Sequence, residues 1–139
     1  MKELSQTAGI VLLGVVAWGL VWNLANAAAF AIWPQGMEGT AYVDDPAPLL
    51  SLLAVSIPLS VAVGALAARL AGARARRTVY ALAAVQLLIG IGVQAAYWTR
   101  MPIWFHLPFL LFIIPATVYG GFLVGFGEGR GATENDGDA

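Results

Sequence analysis

Four stretches of this 139-residue chain contain no Lys, Arg, Asp or Glu: Leu4 to Met37, Pro46 to Ala68, Thr78 to Thr99, and Met101 to Gly127. A bilayer core about 30 Å thick is crossed by roughly 20 apolar residues of helix. Each stretch is long enough to cross once, and only short connectors remain between them. The expected fold is therefore all-α: a four-helix transmembrane bundle over residues 1–127, with spans near 7–33, 46–70, 78–98 and 103–127. Residues 128–139 are polar, Gly-rich and acidic, and are expected to form a disordered tail.

Composition agrees with lipid as the solvent. Charged residues make up 11% of the chain, where a soluble domain carries about 25%. The absence of cysteine excludes disulfides and thiolate metal sites, and a single histidine, His106, excludes a His-rich metal centre within one copy. No cofactor, no metal and no nucleic-acid partner is expected. Lys2, an apolar run and Ala25-Asn26-Ala27 together resemble a secretory signal, but the apolar character continues through Trp33. That is too long for a signal core, so an uncleaved span is expected.

Charge placement sets the expected orientation. Lys2, Arg69, Arg74, Arg76, Arg77 and Arg130 fall on one side of the spans, and Arg100 alone falls on the other. This bias puts both termini and the arginine-rich connector in the cytoplasm. The expected location is the plasma membrane of a prokaryote, multi-pass, with the lipid bilayer as first partner. Arg74, Arg76 and Arg77 then act as a topology anchor that also meets lipid headgroups. Asp45 followed by Pro46 is a helix start, and Thr78 is a candidate cap for the third span.

Helices in lipid associate through close backbone approach and a few hydrogen bonds. Ser56, Ser60, Gly64 and Ala68 recur every four residues in the second span. Thr117, Gly121 and Gly125 do so in the fourth, and Gly90 lies between Gln86 and Gln94 in the third. Such stripes mark seams, either within one copy or between copies. Pro58 and Pro115 interrupt the second and fourth spans and free the carbonyls of Ala54 and Leu111. They act as shape adjusters, or as hinges whose carbonyls line a polar path.

The polar residues of the outer half are Asn23, Asn26, Ser51, Gln94, Tyr97 and His106. Two readings stand: an interhelical hydrogen-bond cluster that fixes packing, or a pocket for a small molecule, a headgroup or a partner segment, with Asn23, Asn26, Gln94, Tyr97 and His106 as its candidates. Asn26 precedes Pro34 by eight residues, and Gln94 precedes Pro102 by eight. This hints that the two helical hairpins are parallel repeats.

The run from Gln86 to Phe109, with Trp98-Thr-Arg-Met101-Pro102-Ile-Trp104-Phe-His106-Leu before the last span, resembles a group of small uncharacterised prokaryotic four-span membrane proteins. Trp22-Asn23-Leu-Ala-Asn26 is similar to that group as well. The resemblance implies fold and membrane location, and transfers no catalytic residue. No catalytic residues and no enzyme activity are expected: His106 with Asp44 or Asp45 is the single conceivable acid–base pairing, and most roles of an active site have no candidate. The chain reads as a non-enzymatic accessory or structural component that assembles with itself or into a larger membrane complex. The alternative is a small-solute channel or transporter that uses the outer-half polar pocket.

Overall fold

The structure, a computed structural model, describes residues 2–34, 42–43 and 45–125. Glu38, Asp44, Arg130 and the acidic tail lie outside these residues. The described chain is helical and contains no strand: α1 spans Lys2–Ile32, α2 Pro46–Ala71, α3 Ala75–Ala96 and α4 Ile103–Leu123, with a 3-10 turn at Gly72–Arg74 between α2 and α3.

Measured as continuous helix, three segments are long and apolar enough to cross a membrane, not the four expected: Leu4–Ile32, Pro46–Ala96 and Ile103–Leu123. The count falls because the tight turn joins α2 to α3 without a break. A straight helix of the 51 residues of Pro46–Ala96 would be about 75 Å long at 1.5 Å per residue. The segment instead turns at Gly72, whose φ of 54° lies in the region that favours glycine, and α3 packs against α2. The Gly72 N–H donates to Ala68 O and closes the end of α2.

The helix starts follow local chemistry only in part. The Asp45 side chain accepts from the Ala47 N–H at 2.9 Å, with Pro46 in the first helical position. Thr78 caps nothing: α3 begins three residues earlier at Ala75 without a side-chain cap. Thr78 is instead fully buried, and its hydroxyl has no partner among the described residues.

The tightest seam joins α2 to α4. A Cβ added at Gly64 would lie 2.0 Å from Thr117 O, and one added at Gly120 would lie 1.9 Å from Val61 O. The two backbones therefore touch at reciprocal points, which only residues without a side chain permit. Gly121, the glycine of the four-residue stripe, is buried next to Gly120. Gly90 fits α3 against α4, where an added Cβ would meet Ile113 Cδ1 at 2.8 Å. α1 is the least enclosed helical segment. It attaches through Gly14, which faces Leu82, and through Trp18, buried in the core with Val63, Val79 and Phe109.

The outer surface is apolar on every helix. Leu12, Leu24, Leu88 and Leu111 are each more than 60% exposed. So many exposed large apolar side chains, spread over all four helices, are rare on a monomeric soluble protein. They suit hydrocarbon as surroundings, and with the three long apolar segments they make this a helical membrane protein.

Candidate functional site at the loop end of the bundle

The segment before α2 and the turn between α3 and α4 meet at one end of the bundle. The Val43 N–H donates to Arg100 O at 2.8 Å, and the Val43 side chain is buried. The arginine-rich turn lies at the opposite end, where Arg74 Nη2 donates to Gln6 Oε1 of α1 at 2.6 Å. Arg76 and Arg77 are exposed there.

Beneath the Val43–Arg100 link is a cavity of about 560 Å³. Asn23 and Asn26 reach it from α1, Gln94 and Tyr97 from α3, and Arg100 from the turn. Its apolar wall is formed by Trp22, Phe30, Leu52 and Phe105. Asn26 and Gln94, the two positions related by the eight-residue spacing to proline, thus line the same space.

The amides are not equivalent. Asn23 Nδ2 donates to Gly19 O at 2.7 Å, and Asn26 Nδ2 to Trp22 O at 2.8 Å. Both bonds return to the previous turn of α1, so neither of these contacts ties α1 to another helix. Each nitrogen keeps a second hydrogen. Gln94 is different. Its side chain is buried and meets Nδ1 of His106 across the α3–α4 contact.

His106 stands behind the cavity wall rather than on it. It is fully buried, its Nε2 lies 3.1 Å from Met101 O, and Trp98 stacks on the ring at 4.7 Å between centroids. A carbonyl accepts only, so Nε2 carries the proton that it receives. The Gln94 atom that faces Nδ1 is Oε1, also an acceptor as placed; turning that amide about its last bond presents its NH₂ to Nδ1 and lets a ring protonated on Nε2 satisfy both partners. Both ring nitrogens are thereby occupied inside the protein.

Deeper in the bundle, Thr117 Oγ1 donates to Gln86 Oε1 at 2.8 Å, with both residues fully buried. Between this pair and the cavity lie stacked rings. Trp22 meets Phe109 at 4.9 Å, Phe105 meets Phe109 at 6.0 Å, and Trp18 stacks on Trp22 at 6.3 Å. Trp22 and Phe105 of this group also line the cavity. Pro58, Pro115, Ala54 and Leu111 are all exposed on the outer faces of α2 and α4. The carbonyls freed by the prolines therefore do not join the cavity, contrary to the reading that makes them part of a polar path.

Sequence reasoning passed over Arg100, Trp22, Phe105 and Gly120 as site or seam residues. Arg100 carried a usable signal, being the one charged residue between the third and fourth charge-free runs. The aromatics carried none, because Trp and Phe suit lipid and interior equally.

Comparison with known protein families, with characterised proteins and with solved structures finds no match. The fold and the site therefore define the class by themselves: a helical membrane protein with a cavity at one end, lined by apolar side chains together with amides and an arginine.

Proposed function

We propose that the chain crosses the membrane four times, with both termini and the arginine-rich turn on the cytoplasmic side of a prokaryotic plasma membrane. Its role is that of a non-enzymatic accessory or structural component that assembles with itself or with another membrane protein. One observation carries this reading. The buried polar side chains that bridge helices are paired to each other, Gln94 with His106 and Gln86 with Thr117, rather than set out along a path. Interhelical bonds of this kind fix packing in lipid. The long, weakly enclosed α1 leaves most of its apolar face for a neighbouring helix. The resemblance to small four-span proteins supports the same architecture.

Gentle purification from native membranes, followed by mass spectrometry, tests this reading. A stoichiometric second protein or a stable homo-oligomer is the expected result. A lone monomer, together with solute flux in vesicles that is lost in Asn26→Leu, would overturn it. Orientation is tested by placing cysteine at Ala73 and labelling intact cells: an impermeant thiol reagent should fail to reach it.

The cavity supports a second reading, a small-solute channel or transporter with an outer-half pocket. The ring stack below the cavity favours binding over passage, because its side chains are aromatic and the polar groups they offer are the indole N–H groups of Trp18 and Trp22.

A further inference from the structure

Arg100 has no explanation in topology. The arginines of the α2–α3 turn, Arg74, Arg76 and Arg77, lie at the opposite end of the bundle, where charge bias places them. Arg100 sits alone at the loop end, half-buried, with its guanidinium 5.8 Å from the Tyr97 ring centroid. Among the described residues no carboxylate pairs with it. It lines the cavity, and the described residues of the lining include no acidic one. A cation held at a largely apolar cavity, at the level of the membrane surface, asks for an anion.

The remainder of the lining divides into two parts. Asn23 and Asn26 each offer a second amide hydrogen on the α1 side. Trp22, Phe30 and Leu52 offer a wall without polar groups, apart from the Trp22 indole N–H. The volume of about 560 Å³ falls in the range of pockets that enclose a small organic molecule, roughly 300–1,000 Å³. We infer that this cavity is a seat for an anionic amphiphile: a carboxylate or phosphate head held by Arg100 and the asparagine amides, with its hydrocarbon chain against Trp22, Phe30 and Leu52. Arginine is suited to the head, since its planar fork matches either oxyanion. The source of such a molecule is a bilayer lipid or a dissolved fatty acid or alkyl phosphate; the chemistry recognised is the same.

The inference deepens the pocket reading above and does not depend on the assembly reading, whose failure would appear as an absent partner rather than as lost binding. The test uses the full chain in nanodiscs of zwitterionic phosphatidylcholine. A bromine-tipped fatty acid, added at a pH where it is ionised, should quench tryptophan fluorescence saturably. The corresponding bromine-tipped alcohol should bind about tenfold more weakly or worse, on the scale of a charge-assisted hydrogen bond. Arg100→Gln should lose at least the same factor, and Arg77→Gln should bind as the unaltered protein does.

Ala27 lies exposed on α1 and lines the cavity. Ala27→Trp fills the space and should abolish saturable quenching even where Arg100→Gln yields no folded protein. Adding phosphatidylglycerol to the disc separates the sources: displacement of the bromo-acid identifies a lipid occupant, and undiminished binding identifies a dissolved one. Equal quenching by acid and alcohol overturns the proposal. So does unchanged binding in folded Ala27→Trp or folded Arg100→Gln.

Discussion

Gln94 and His106, twelve residues apart on different helices, meet side chain to side chain in the buried contact between α3 and α4. The pair joins two levels of the molecule. Gln94 belongs to the cavity wall, while His106 is anchored to Met101 O and covered by Trp98. The turn between the helices is thus held from within, and its backbone in turn holds Val43 through Arg100 O.

Removing one member of that pair should cost more than removing both. Gln94→Leu leaves His106 Nδ1 buried without a partner, a loss of about 1–3 kcal/mol. Adding His106→Phe removes the orphan and should recover part of that loss. Unfolding in mixed micelles across the four-protein cycle reads the coupling, and strict additivity would show that the contact is not energetically shared.

The His106 ring should carry a proton on Nε2, because Met101 O can only accept. Nitrogen chemical shifts of labelled His106 distinguish the two tautomers directly. A signal for protonated Nδ1 with bare Nε2 would contradict the arrangement described here.

At the α2–α4 seam, Gly64→Ala and Gly120→Ala each drive a methyl into a backbone carbonyl and should destabilise by about 1–3 kcal/mol, as overpacking does. Gly92→Ala is the control. Nothing lies within 4 Å of a Cβ there, and the substitution should be neutral or mildly stabilising by up to about 1 kcal/mol. Thermal denaturation of the three variants orders them, and an equal effect at all three positions would remove the close approach as the cause.

Gln86 behaves differently from Gln94. Its Oε1 is bonded to Thr117, but its Nε2 has no partner among the described residues. Gln86→Leu with Thr117→Val should therefore be neutral or stabilising, whereas Thr117→Val alone should be destabilising. A strongly destabilised double variant would point to a role for the unpaired nitrogen that packing does not supply.

Pro58→Ala and Pro115→Ala should preserve folding and raise the melting temperature, since each restores a helical hydrogen bond on an exposed face. Loss of amphiphile binding in either variant would restore the hinge reading of these prolines.

Much of this architecture was legible in the residue order because lipid imposes a coarse filter. Long charge-free runs must be helical, since no water is present to satisfy a bare backbone. Asp45-Pro46 fixed a helix start by chemistry contained within a few residues. Thr78 misled for the opposite reason: its hydroxyl suits a cap, but the preceding turn through Gly72 let α3 begin at Ala75 and carried Thr78 inside. The same turn fused two runs into one helical segment, which no count of apolar residues could foresee.

Along the chain alone, Asn23, Asn26, Gln94 and Tyr97 could be placed at one level, because rise per residue is fixed in a helix. Which of them would bond to its own helix and which across to another was decided by tertiary packing. Asn23 and Asn26 reach the carbonyls of the turn before them, and Gln94 is near enough to His106 only because Gly90 lets α3 lie close against α4. Periodicity fixes height and face on a single helix; the distance between helices depends on which side chains are missing at the contact. That is why the sequence determined a set of apolar helices with a belt of polar side chains at one level, and why only the folded chain decided that this belt divides into the buried Gln94–His106 pair and an open cavity lined by Arg100.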